Sequence, residues 1–367
     1  MMLSLKVVMF SLCGFGALLF VILCSFLTGL QVGPWSFTLP TVARSRRLSG
    51  SEETDGSHAL TASDSVLIYN RVPKTGSTTL TGLAYDLCGK NRFNVLHLNT
   101  SRNSHVMSLS DQYRFAHNVS GWYEKHPGLF HGHLAYFDFA AFGVTKMPLW
   151  INVVRDPIDR LVSYYYFVRY GDNFRPHLTR RKQGDKKSID DCVSEHGKDC
   201  DPMNMWLQVP FFCGHASACW NPPGNSWALE QAKRHLIDKY FLVGVTEELE
   251  DFVVMLETTL PSMFHGALDL YRNGEKSHLR KTFNKTEPSP ATKETLMASP
   301  IYKAEADFYR FAYDNFQSVK RRTLVEKDDR LVDRGQQFFF EKIRPRSRDD
   351  VPKKTSSVFP TSTIDFR

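Results

Sequence analysis

A short apolar run, Val66-Leu-Ile-Tyr, gives way at Asn70 to the polar, turn-forming string Arg71-Val-Pro-Lys-Thr-Gly-Ser-Thr-Thr, and apolar positions then return as Leu80, Leu83, Ala84 and Leu87. The first run has the length of a buried strand and the second set has helical spacing, so the segment predicts strand, tight loop, helix. The alternation continues along the chain. Asn94-Val-Leu-His-Leu-Asn reads as a strand, Leu129-Phe-His-Gly-His-Leu-Ala-Tyr-Phe as apolar but turn-forming, and Pro148-Leu-Trp-Ile-Asn-Val-Val as a buried strand. That last run stops at Arg155-Asp-Pro, where Asp156 is placed to cap a helix and Pro157 fits its first position. A helix around Trp227 to Tyr240 leads into the strand Phe241-Leu-Val-Gly-Val, after which Thr246, Glu247 and Glu248 open another helix with acidity matched to its positive end. Strands that are apolar throughout and alternate with helices predict an α/β fold: a parallel sheet covered on both faces. No internal repeat is visible.

The N-terminus breaks this pattern. No charged residue occurs from Val7 to Leu30, and roughly 20 apolar residues suffice to span a bilayer. A cleaved signal peptide has a shorter apolar core, so 7–30 reads as an uncleaved anchor preceded by a short tail, 1–6. Lys6 lies before the span while Arg44, Arg46 and Arg47 follow it, a bias against a luminal C-terminus. Long following domains translocate largely regardless of charge. Residues 31–64 are rich in Ser, Thr, Gly, Pro and charge and read as a flexible stem. The folded domain is expected from about Ser65 to Ile343, and 344–367, with Arg344, Arg346, Arg348, Lys353 and Lys354, reads as a disordered basic tail.

Composition adds two constraints. With 367 residues, 42% of them hydrophobic, the chain can hold one large α/β domain or two ordinary ones. A net charge of +7 points to an acidic partner without saying which. The sequons at Asn99, Asn118 and Asn284 could carry glycans only in the lumen. Cys13 and Cys24 fall in the span and Cys88 stands alone, whereas Cys192 and Cys200, then Cys213 and Cys219, bracket short polar loops without histidines at ligand spacing. They read as two local disulfides in an oxidising compartment; zinc is the rival reading, but neither pair has the close spacing of common zinc sites.

Candidate chemistry gathers at the two strand-to-helix junctions. Gly76 lets the chain turn, Ser77, Thr78 and Thr79 can cap the helix, and Lys74 precedes the turn. Free N–H groups at a helix start beside an ammonium suit a phosphate-like anion. Lys74 comes before the glycine, so this is not a Walker A loop; the plain alternative is an ordinary turn carrying a surface lysine. At the other junction Arg155 ends a strand and Ser163 lies two helical turns on, on a face it can share with Arg155. Ligands of open α/β sheets bind beyond the carboxyl ends of strands, so one elongated anion could touch both Lys74 and Arg155. Alternatively, Arg155 only pairs with Asp159. Histidine is the usual base at neutral pH, and His131 and His133 are both candidates between which the residues alone do not choose. Arg175, Arg180, Arg181, Lys182, Lys186 and Lys187 fall within thirteen residues, a solvated loop or a grip for a polyanion.

Pro73-Lys-Thr-Gly-Ser-Thr resembles the 5′-phosphosulfate loop of the Golgi carbohydrate sulfotransferases, and Val154-Arg-Asp-Pro-Ile-Asp-Arg-Leu-Val-Ser-Tyr-Tyr-Tyr resembles their 3′-phosphate segment. Tyr69-Asn-Arg-Val-Pro-Lys-Thr, Phe130-His-Gly-His, Arg181-Lys-Gln-Gly-Asp-Lys-Lys, Pro210-Phe-Phe-Cys-Gly-His and Lys276-Ser-His-Leu-Arg-Lys-Thr together are similar to the heparan sulfate 2-O-sulfotransferases within that group, from about Val66 to Ile343. The resemblance implies a P-loop-like sulfotransferase fold and transfer from 3′-phosphoadenosine 5′-phosphosulfate (PAPS), without a metal, to the 2-hydroxyl of hexuronic acid, mainly iduronate, in heparan sulfate. It implies donor contacts at Lys74, Thr75, Gly76, Ser77, Thr78, Arg155 and Ser163 and from a closing loop with Ser277, Leu279, Arg280, Lys281 and Thr282. It selects His133 as base with His131 in support, and Arg71, Tyr85, His97, Arg175, Arg180 and Glu341 on the acceptor side. It also implies a homotrimer in the Golgi membrane, single-pass with the catalytic domain luminal, where nucleic acid is not a partner. The rival readings are a uronyl 2-O-sulfotransferase acting on dermatan or chondroitin chains and a catalytically dead heparan-binding membrane protein. The Phe130-His-Gly-His and Arg181-to-Lys187 segments speak against the first, and intact Lys74, Arg155 and His133 against the second.

Overall fold

The computed structural model describes residues 65–274 and 281–341. The expected anchor 7–30, stem 31–64 and basic tail 344–367 lie outside the described residues. Among the described residues, no helix is long and apolar enough to cross a membrane.

Five strands, β1 (Val66–Asn70), β2 (Asn94–Leu98), β3 (Gly128–Gly132), β4 (Leu149–Val154) and β5 (Tyr240–Val245), form one sheet in the order β2-β3-β1-β4-β5. Every adjacent pair is parallel. β1 and β3 are buried along their whole length and β4 at all but its first residue, which is why their sequences do not alternate apolar with polar positions. The flanking helices include α1 (Ser77–Leu87), α2 (Leu109–Gly121), α3 (Pro157–Tyr170), α4 (Gln208–Cys213), α5 (Ser226–Asp238), α6 (Leu249–Thr259) and α7 (Pro300–Thr323). On α7 the buried positions Ala304, Phe308, Ala312 and Phe316 recur every four residues, the stripe of a helix with one face on a core. A two-stranded antiparallel hairpin, Leu324–Lys327 with Arg330–Asp333, follows α7.

The strand order fixes where a ligand can sit. From β1 the chain leaves through α1 towards β2, on the β3 side; from β4 it leaves through α3 towards β5, on the opposite side. Between the carboxyl ends of β1 and β4, therefore, the outgoing connections diverge and leave a crevice. A buried polar network pins those ends: Asn152 Nδ2 donates to Asn70 O at 2.7 Å and to Asn70 Oδ1 at 2.9 Å, and the Tyr240 hydroxyl donates to the same Oδ1 at 3.0 Å. All three side chains are satisfied, so their burial adds rigidity rather than a desolvation cost.

Both expected disulfides, Cys192–Cys200 and Cys213–Cys219, are present, and Cys88 is free. Two details differ from the sequence reading. The Phe130-His-Gly-His segment is not a turn: β3 runs through His131 to Gly132, because ladder partners on both sides, Tyr69 and His97, hold it extended. Helix α1 takes Gly76 as its N-cap in the left-handed region (φ 75°), so no side chain caps it; Ser77, Thr78 and Thr79 belong to its first turn.

Candidate functional site

The crevice between β1 and β4 opens into a cavity of about 440 Å³ lined by Lys74, Gly76, Ser77, Thr78, Thr79, Arg155, Ser163, Thr246, Leu249, Tyr271 and Lys281. A second cavity of about 400 Å³ shares Arg155, Ser163 and Lys281 with it and adds Thr282, Asn284 and Lys285. Lys74 and Gly76 both hold positive φ, 71° and 75°. For a lysine that conformation costs about 1–2 kcal/mol, and such outliers collect where a backbone is shaped around a ligand. Thr75 is fully buried between them and its hydroxyl donates to Val72 O at 3.0 Å, closing the turn from inside.

The two strand ends are tied to each other. Arg155 Nη1 donates to Lys74 O at 3.4 Å, and Arg155 Nη2 meets Asp159 Oδ2 at 3.5 Å. The Asp159 pairing expected as the plain alternative is thus present, yet it does not consume the guanidinium: Arg155 Nε is buried with no hydrogen-bond partner among the described residues. Lys74 Nζ donates to Thr282 Oγ1 at 3.1 Å and lies 4.3 Å from the Phe167 ring centroid. The segment carrying Lys281 and Thr282 docks on the end of α3, through Lys281 N to Asn173 Oδ1 (2.9 Å) and Phe283 N to Gly171 O (3.2 Å). Ser277, Leu279 and Arg280 lie outside the described residues.

Beside this crevice stands a cluster of imidazoles. His133 Nδ1 donates to Arg71 O at 2.7 Å. A carbonyl can only accept, so the proton sits on Nδ1 and the lone pair of the neutral ring on Nε2. His105 Nδ1 donates in turn to His133 O at 3.1 Å. His131 is buried, stacks on His97 with ring centroids 4.9 Å apart, and shares a 2.9 Å hydrogen bond between its Nε2 and the Tyr85 hydroxyl. Burial, reinforced by the charges of Arg71, His97 and His133, pushes its pKa down to about 3. Arg71 Nη2 donates to His97 Nε2 at 3.3 Å, and burial, with Arg71 and Arg175 nearby, lowers the His97 pKa as well. Only two residues of loop, Val72 and Pro73, separate Arg71, whose carbonyl holds His133, from Lys74 in the cavity wall.

The basic segment is less uniform than its sequence suggests. Arg180 is mostly buried: it pairs with the fully buried Asp172 at 3.2 Å and lies 4.5 Å from the Phe167 ring, on which Lys74 also rests. Lys182 pairs with Asp199 at 3.3 Å and Lys187 with Glu195 at 2.5 Å. Arg175, Arg181 and Lys186 stay exposed. Glu341 does not join the site; it is exposed at the last described position, with no hydrogen bond or ion pair to the cavity among the described residues. Asn99, Asn118 and Asn284 are all exposed, and Asn284 lies at the second cavity. Among the described residues no group of three or more His, Cys, Asp or Glu is arranged to hold a metal ion.

Over residues 57–314 the chain matches the sequence pattern of the sulfotransferase family. The chain belongs to this family. Among curated relatives, this sulfotransferase is 60% identical over 284 residues to heparan sulfate 2-O-sulfotransferase 1 of Gallus gallus, covering 77% of the chain and 80% of the relative. It is 58% identical to the protein of the same name from Homo sapiens, with the same coverage. To the heparin sulfate O-sulfotransferase of Drosophila melanogaster it is 53% identical over 281 residues, 77% of the chain and 79% of the relative. Several residues of the sulfotransferase site carried no signal in the sequence. Thr246, Leu249 and Tyr271 reach the cavity from the β5–α6 junction and beyond, and Phe167, near the end of α3, supports the Lys74 ammonium with its ring. Apolar and aromatic residues in such places read as core until a tertiary structure shows what they face.

Proposed function

We propose that the chain transfers a sulfuryl group from PAPS to the 2-hydroxyl of hexuronic acid, mainly iduronate, in heparan sulfate. One observation carries the proposal: a single cavity joins the α1 N-terminus and Lys74, in the loop after β1, to Arg155 at the end of β4 and Ser163 on α3. A nucleotide with anionic groups at both ends matches that donor set, and Arg155 Nε, buried with no partner among the described residues, is a donor suited to one of them. When bound, PAPS supplies an activated sulfuryl group on its 5′-phosphate. Sulfuryl transfer, like phosphoryl transfer, is in line and depends on stabilising charge. The first-turn N–H groups of α1, with Ser77, Thr78 and the Thr75–Gly76 turn, hold the 5′ end, and the Lys74 ammonium meets the charge that builds on the departing oxygen. Arg155 and Ser163 hold the 3′-phosphate, and Lys281 and Thr282 cover the nucleotide. His133, with its lone pair on Nε2, takes the proton of the acceptor hydroxyl. His131 stays neutral and, through Tyr85, orients the acceptor side. Arg71, His97, Arg175 and Arg180 complete the acceptor grip for carboxylate and sulfate groups.

The same reading includes a homotrimer held in the Golgi membrane by residues 7–30, with the catalytic domain luminal. The test supplies purified protein with labelled PAPS and either N-sulfated heparosan or dermatan. Label should pass to the heparosan, and Lys74→Ala should lower turnover about 10²–10³-fold, the usual loss for one group that stabilises developing charge. Transfer to dermatan alone, or undiminished turnover in the variant, would contradict the assignment.

A further inference from the structure

Arg155 lies one residue beyond β4, where the sheet no longer supplies partners for its backbone. Both of its main-chain groups are nevertheless taken, and by one side chain. Arg155 N donates to Gln208 Oε1 at 2.8 Å, and Gln208 Nε2 donates to Arg155 O at 2.9 Å. A primary amide presents one acceptor and one donor side by side, as a strand's peptide group does. Gln208 thus extends the ladder by one rung, exactly where α3 must begin at Pro157, a residue with no N–H of its own.

Gln208 is itself held. It is fully buried, and its Nε2 also donates to Glu305 Oε2 at 3.2 Å. Glu305, fully buried on α7, accepts in addition from Leu207 N (2.8 Å), Val209 N (3.1 Å) and Gln208 N (3.3 Å). The start of α4 has no side-chain cap of its own, so this carboxylate from a distant helix serves as one. Burial raises the Glu305 pKa, and the charge of the buried Arg160 opposes that shift. The Gln208 amide serves the backbone of one arginine, and the Glu305 carboxylate holds that amide while it caps α4.

We infer that Gln208, anchored by Glu305, is a positioning residue that fixes the Arg155 backbone and so sets recognition of the donor's 3′-phosphate. This rests on the reading of Arg155 given above. A guanidinium displaced by about 1 Å loses the alignment its contacts need.

The experiment titrates full-length wild-type protein, Gln208→Leu and Glu305→Gln with adenosine 3′,5′-bisphosphate and with adenosine 5′-monophosphate, which lacks the 3′ group. Wild type should prefer the bisphosphate. Gln208→Leu should weaken the bisphosphate about tenfold while changing the monophosphate less than about twofold, and Glu305→Gln should move the same way by less. In turnover, the KM for PAPS should rise with kcat nearly unchanged, and adding Gln208→Leu to Arg155→Ala should cost no further preference. A lower melting temperature with the preference intact in both variants would make the network merely structural and overturn the inference. If Gln208→Leu does not fold, the preference of Glu305→Gln decides alone. If wild type itself shows no preference, the donor assignment falls, and this inference with it.

Discussion

At the residue scale, the choice between two histidines turns on what each ring nitrogen meets. His133 gives its Nδ1 proton to a backbone carbonyl, whereas His131 is sealed between His97 and Tyr85, its Nδ1 buried with no hydrogen-bond partner among the described residues. A base with a pKa near 3 holds too little affinity for a proton to serve at neutral pH. His133→Ala should lose about 10²–10⁴-fold in turnover and keep its affinity for heparan, as measured by label transfer and by heparin-column elution; retained turnover would remove the base. His131 also makes a stability prediction. Its folded pKa of about 3 lies below the ordinary 6.5, so the unfolded chain binds the proton first as pH falls. The stability it contributes is complete above 6.5 and is lost between 6.5 and about 3, and burial of His105 and His215 adds in the same direction. Denaturant titrations at pH 7 and pH 5 should show a smaller difference for His131→Gln than for wild type; equal differences would refute the buried, neutral ring. Lys74 and Arg155 could be picked out from sequence because strand-loop-helix patterning places polar residues where a core would not want them, and the two histidines because an alcohol nucleophile needs a base. Which histidine carries which proton could not, since that depends on Arg71 O and Tyr85, which only the fold delivers.

At the scale of elements, the parallel sheet was legible, although the β3 segment around His131 read as a turn, because β1 and β4 are buried on both faces and so are largely apolar without alternation. The strand order was not. Nothing local in β3 says that it inserts between β1 and β2, and that insertion puts His131 beside both Tyr69 and His97. The basic segment was misleading for a related reason: a charge run shows neither Asp172 nor Asp199 waiting across the fold to pair with it. Contacts between elements also set tolerance to change. Gly244 in β5 packs directly against Phe252 of α6, leaving no room for a Cβ. Gly244→Ala should therefore cost about 1–3 kcal/mol through overpacking. It should also disturb Thr246, whose hydroxyl donates to Val154 O at 3.0 Å beside the cavity. A melting temperature equal to wild type would show that the β5–α6 contact is looser than described.

At the scale of the whole molecule, the account reduces to a crevice made by topology and furnished by two loops. Outgoing connections part between β1 and β4, and each of those strands ends in a cation, Lys74 or Arg155, that reaches the same cavity. Everything proposed about the donor depends on one nucleotide lying across both. The most direct measurement is a crystal structure of the protein with adenosine 3′,5′-bisphosphate. The 5′-phosphate should lie on the α1 N-terminus within hydrogen-bonding distance of Lys74, and the 3′-phosphate on Arg155 and Ser163. A nucleotide bound elsewhere, or bound here with its 3′-phosphate away from Arg155, would contradict the account.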